Sequence, residues 1–93
     1  MSVIYKIEFT AKAEKELKKL PRQIANKIAE KIKTLAIEPR PKGHKKLTNF
    51  HIPNAPEELY RLRVSDYRVV YSIEDEVLTI AVVKIAHRRN VYE

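Results

Sequence analysis

The sequence predicts an α+β fold: an N-terminal strand and an antiparallel helical hairpin packed on one face of a mainly antiparallel twisted β-sheet. Three stretches carry that prediction. Residues 59–71 (LYRLRVSDYRVVY) alternate apolar with other side chains and are rich in β-branched and aromatic types, so they read as two strands. Residues 10–37 place Ala13, Leu17 and Leu20, then Ile24, Ile28, Ile32 and Leu35, at helical spacing on either side of Pro21. Residues 77–86 (VLTIAVVKIA) form the most apolar run and fit a central strand. A chain of 93 residues holds one core, so 1–93 reads as a single domain.

In chain order, residues 3–9 (VIYKIEF) make a strand with Val3, Tyr5, Ile7 and Phe9 on one face. Thr10 supplies an N-cap for the helix that follows through Leu20. Pro21 breaks this helix and opens the next, which runs through Ile37 until Pro39 and Pro41 stop it. The joint is short, so the helices pair antiparallel and their apolar stripes are core. Residues 39–46 (PRPKGHKK) read as a loop carrying Arg40, Lys42, Lys45 and Lys46 and no acid. Gly43 lies within it, but the GK[ST] ending of a phosphate loop is absent. This basic flank is either a backbone-phosphate contact or a solvated turn. Residues 47–52 suggest a short strand, and Pro53 and Pro56 a turn. Glu74, Asp75 and Glu76 form a polar turn, and beyond Ala86 the chain is polar.

Ser65 and Asp66 are the only turn material within residues 59–71, which implies a hairpin with a two-residue loop. Val64 then faces Tyr67 and Arg63 falls opposite Arg68, with Arg61 two residues along on the same face. Opposed like charges destabilise a strand pair, so a bound anion accounts for the stack better than stability does. A slip of one residue would carry Arg68 to the other face, and arginines on a solvent-facing strand also serve solubility.

Composition removes several function classes. There is no cysteine, and His44, His51 and His87 show no metal-ligand spacing, so neither a metal nor another cofactor is expected. No run reaches the ~18 apolar residues of a membrane span and no signal peptide is visible, so a cytoplasmic protein without membrane contact is expected. The net charge of +7, from 19 basic and 12 acidic residues, favours nucleic acid or an acidic protein partner. Most lysines of the first half alternate with glutamate, as on a solvated helix face. The arginines differ: Arg61, Arg63, Arg68, Arg88 and Arg89 crowd the last third, and arginine suits forked contacts with phosphate.

Arg61, Arg63, Arg68 and Arg88, with Tyr92 nearby, form a set that can hold phosphates, stabilise charge on a phosphorane-like transition state and stack a splayed base. Metal-free RNA cleavage needs little more, because the RNA's own 2′-hydroxyl attacks the adjacent phosphate once it is positioned. Lys45, Lys46, Lys84 and Arg89 are the further RNA-binding candidates. No carboxylate pair or Ser-His-Asp arrangement competes with this reading.

The strand pair YRLRVSDYRVVY, the apolar strand ending in IAHRRNVY and the preceding helical hairpin together resemble the RelE/ParE superfamily of toxin–antitoxin toxins, over essentially the whole chain. The resemblance implies the RelE-like microbial RNase fold. The RelE branch cleaves mRNA in the ribosomal A site without metal, while the ParE branch poisons DNA gyrase. RelE-type enzymes carry basic residues at two alternate positions of the first hairpin strand, matched here by Arg61 and Arg63. An arginine starts their second strand, matched by Arg68; another follows the last strand, matched by Arg88; and a near-terminal tyrosine is matched by Tyr92. The resemblance therefore implies a ribosome-dependent endoribonuclease toxin, with a RelB-like antitoxin, the ribosome and mRNA as partners.

This chain departs from several relatives, which have lysines where Arg61 and Arg63 stand; a lysine there has been assigned as the general base. Arginine stays protonated and is a poor base. His87, the nearby side chain that titrates near neutrality, becomes the acid–base candidate, set against a solvated residue at a strand end. A gyrase poison and a non-catalytic RNA-binding domain are the alternatives.

Overall fold

The computed structural model describes residues 3–48, 50–53, 55–56 and 58–90. Strand β1 (Lys6–Phe9) leads through Thr10 into helix α1 (Ala11–Lys18). The Thr10 hydroxyl accepts the Ala13 amide at 3.1 Å, the expected N-cap, which is worth about 1 kcal/mol. Helix α2 (Arg22–Leu35) starts directly after Pro21. Then come β2 (Lys45–Leu47), β3 (Leu59–Val64), β4 (Tyr67–Glu74), a 3-10 turn at Asp75–Val77, and β5 (Thr79–His87). The strand order is β1-β5-β4-β3-β2, with β1 parallel to β5 and every other pairing antiparallel.

The helices cover one face of the sheet. Ala13, Ile28, Ile32 and Leu35 pack against Leu62, Val64, Val69, Tyr71, Ile80, Val82 and Ile85, and Leu17, Leu20 and Ile24 complete the layer. Of the predicted β1 stripe, Tyr5 and Ile7 join this core, whereas Val3 is 52% and Phe9 37% exposed. Beyond the end of β1, α1 lies along the edge of β5. The Thr10 amide donates to the Val82 carbonyl at 3.0 Å, and Glu16 Oε1 accepts the Ile85 amide at 2.9 Å. Helix groups thereby satisfy part of an edge that would otherwise be bare.

The opposite face is covered more than the sequence suggests. Leu59, Val70 and Val83 are buried beneath Leu47, Phe50, Ile52 and Ala55, so the irregular segment after β2 folds over this face as a second small core. The short strand expected at 47–52 lies at Lys45–Leu47 instead, because those residues pair with Arg61, Tyr60 and Leu59. Lys45 and Lys46 therefore belong to an edge strand rather than a loop. What stays uncovered is the hairpin end, where Arg63 is exposed and Arg61 and Arg68 are half-buried. No helix among the described residues is long and apolar enough to cross a membrane.

Candidate nucleic-acid interface

The hairpin has the expected register: Val64 pairs with Tyr67 and Arg63 with Arg68. Ser65 takes a φ of 55°, the positive value that a primed two-residue turn demands at its first position. Paired residues share a face, so two cross-strand rows follow. Lys45, Arg61, Val70 and Lys84 form one, and Arg63, Arg68 and Ala86 the next. Direct partners hold their Cβ atoms about 5 Å apart, which brings Arg63 and Arg68 side by side. Arg68 Nη1 donates to the Tyr67 carbonyl at 3.2 Å, and the small Ala86 flanks it on β5. The Arg88 amide donates to the Asp66 carbonyl at 2.7 Å, which fixes Arg88 beside the hairpin turn. Arg89 is exposed in the turn at 88–90 that follows β5. Tyr92 lies outside the described residues.

An irregularity in β5 redirects two of the predicted residues. Val70 pairs with Lys84 and Tyr71 with Val82, so Val83 is an extra residue on that strand. Lys84 shares the arginine-side row but is only 6% exposed, which leaves little of it for a ligand. His87 pairs with Tyr67, whose ring packs into the helix-side core; the two rings meet edge-on at 5.4 Å. His87 thus faces the groove between β5 and α1, alongside Lys12, Glu16 and Lys19, and not the arginine side. Its Nδ1 accepts the Arg89 amide at 3.3 Å, so a neutral ring carries its proton on Nε2.

Strand β2 pairs only with residues 59–61, so the outer edge of β3 is free from Leu62 onward. A cleft of about 330 Å³ forms there, lined by Lys31, Lys42, Gly43, Lys45, Arg61, Leu62 and Arg63. Gly43, at φ 95°, turns the loop that carries Lys42 to this place. A second cleft of about 480 Å³ continues along α2 to the hairpin turn, lined by Lys27, Glu30, Lys31, Thr34, Arg63, Val64 and Ser65. Lys27 and Lys31 were hidden in the sequence among helix-surface lysines. Their four-residue spacing on one stripe was the available signal.

The other basic residues of this region are engaged. Lys46 Nζ meets Glu58 at 3.1 Å. Arg40 contacts both oxygens of Asp75, at 2.9 and 3.4 Å, and lies 5.9 Å from the centre of the Tyr60 ring. The Tyr5 hydroxyl donates to Asp75 at 2.5 Å. Arg40 first, and then Tyr5, hold the Asp75 carboxyl below the usual carboxylate range. Arg40 is therefore a clamp between loop and sheet rather than a phosphate contact. Burial pushes the Tyr71 hydroxyl well up, and it donates to the Pro39 carbonyl at 2.9 Å.

A family model described as the ParE toxin of the type II toxin–antitoxin system parDE matches residues 7–92. A RelE-like toxin protein of Escherichia coli is 34% identical over 90 residues, spanning 90% of this chain and 83% of that protein. Among solved structures, a chain of the RelE–RelB complex of Pyrococcus horikoshii aligns with a TM-score of 0.76 and 27% identity, over 95% of this chain and 99% of that one. A chain of the Mycobacterium tuberculosis RelBE2 toxin–antitoxin complex gives 0.75 and 30%, over 95% of each. With a helical hairpin on a mixed five-stranded sheet, a family match over residues 7–92 and these relatives, the chain belongs to the RelE/ParE superfamily of type II toxin–antitoxin toxins.

Proposed function

We propose that this toxin is a ribosome-dependent mRNA endoribonuclease that cuts in the A site and works in the cytoplasm, where a RelB-like antitoxin neutralises it. The observation that carries the reading is the uncovered hairpin end, where Arg61, Arg63 and Arg68 share one face with Lys45. In the step proposed, the 2′-oxygen bonds to phosphorus and the bond from phosphorus to the 5′-oxygen breaks, leaving a cyclic phosphate and a 5′-hydroxyl. The arginines hold the non-bridging oxygens and stabilise the charge that grows on them. Among the described residues, the strand positions around them bear no carboxylate or imidazole, and His87 faces the other way. In this reading the 2′-hydroxyl proton passes to solvent or to a group of the ribosome, and the leaving 5′-oxygen takes up a proton from the same source. The partner reading is supported by the relatives crystallised as RelE–RelB complexes.

Primer extension on a defined mRNA programmed on ribosomes tests this, with EDTA and ribosome-free arms. A cut inside the A-site codon that needs the ribosome and survives EDTA is expected. Intact mRNA with a folded, growth-arresting protein would overturn the reading. A gyrase poison is the second reading, favoured by the ParE-described family match and by the missing base; loss of gyrase supercoiling would establish it.

A further inference from the structure

We propose that the cleft around the free edge of β3 holds the phosphodiester backbone of a single RNA strand running on from the arginine face, with Lys27 and Lys31 as phosphate contacts. This rests on the RNA reading of that face and names the path of the strand beyond it. The two clefts described above share Lys31 and Arg63 in their walls, so they lie side by side along the edge of β3 from Gly43 to Ser65, and together they make the proposed channel.

Charge is the first argument. Lys27, Lys31, Lys42, Lys45, Arg61 and Arg63 line this channel against one acid, Glu30, and none of the six forms an ion pair among the described residues. Lys46, beside Lys45 on β2, pairs instead with Glu58, and Arg40, at the start of the same loop as Lys42, pairs with Asp75. Like charges are also set against each other repeatedly here. Lys27 and Lys31 are one helical turn apart, and Lys45 lies directly opposite Arg61. Each such pair is destabilising, so folding alone gives no reason for the arrangement.

Spacing is the second argument. Arg61 and Arg63 lie about 6.7 Å apart along the strand, and Lys27 and Lys31 about 6 Å along the helix. Both rows approach the step between successive phosphates of an extended single strand. The lining then separates RNA from an acidic protein. Protein partners anchor through buried apolar and aromatic residues, whereas nucleic-acid interfaces are polar and strongly positive. Among the described residues, Leu62 and Val64 are the only large apolar ones along this channel.

The test is the salt dependence of binding, measured by fluorescence anisotropy with labelled, uncleavable 2′-deoxy-substituted strands of about 4 and about 12 nucleotides. For the long strand, the K27A/K31A variant is expected to show a slope of log affinity against log salt shallower by about 1.4, at about 0.7 per lost phosphate contact. For the short strand the slope should not change. The charge-matched variant K15A/K18A, altered on α1, should keep the parent slope on both. A parental slope for K27A/K31A on the long strand overturns the proposal. Equal loss on both strands, or loss of binding to a polyglutamate peptide with RNA binding intact, also overturns it. Because binding is read without cleavage, the two readings separate. A parent that never cuts, combined with the predicted slope loss, defeats the RNase reading alone. A parent that cuts, with no slope change, defeats only the channel.

Discussion

At the end of the sheet where β4 runs into the 3-10 turn, Arg40 is held from several sides, by both oxygens of Asp75 and by the Tyr60 ring, while Tyr5 holds Asp75 in turn. At the hairpin end, Arg61 and Arg63 have no carboxylate within reach among the described residues, and Arg63 stands directly opposite another arginine. The same side chain is thus a clamp at one end and an open cation at the other. The difference teaches where to look for function: cations matched by acids hold a loop in place, and cations gathered without acids await an external anion.

The largest effects should come from removing arginines at the hairpin end. Under the RNase reading, Arg68→Ala and Arg88→Ala each remove about 2–4 kcal/mol of transition-state stabilisation, on the order of 30- to 1000-fold in cleavage rate, with the fold intact by circular dichroism. Full cleavage by both variants would remove these residues from the site. Next comes the covered part of the same face. Leu59, 1% exposed beneath the segment after β2, should lose about 2–3 kcal/mol of stability as Leu59→Ala, read from the urea midpoint. A loss below about 0.5 kcal/mol would mean that the second core does not hold the sheet.

The clamp end should respond to acid. Asp75 has a lowered folded-state pKa, so its contribution is present above the unfolded carboxylate value of about 3.9 and disappears as pH falls through the lowered folded value. Asp75→Asn should therefore be less stable than the parent at neutral pH, with the gap closing in acid. The gap should be small, because both partners are about half exposed. A gap that persists unchanged once the pH is below the lowered folded value would show that the pair acts by packing instead of charge.

Much of this was legible. The hairpin could be placed to the residue because period-two alternation and a two-residue turn leave little freedom, and Arg63 does face Arg68. The helix stripes were equally plain, since Ile28, Ile32 and Leu35 recur at helical spacing and all are buried. Other features depend on tertiary pairing. Lys45–Leu47 carries no strand pattern of its own and is a strand only because β3 offers an edge. The extra Val83 shifts the register of β5, so counting along the chain could not reveal that Lys84 is buried or that His87 faces α1. Phe50, Ile52 and Ala55 sit in an irregular proline-flanked segment whose covering role no periodicity signals. Arg40 looked like one more basic flank until Asp75, 35 residues away, closed on it.

If the hairpin arginines are kept for a ligand and not for the fold, Arg63→Thr separates the two roles in one variant. Threonine favours strands and relieves the opposed charges, so the variant should be as stable as the parent or up to about 1 kcal/mol more stable. Urea unfolding and ribosome-programmed primer extension would be run on the same preparation. An equal or higher unfolding midpoint together with loss of the A-site cut is the predicted result. A lower midpoint with the cut retained would make Arg63 a structural residue and contradict the account.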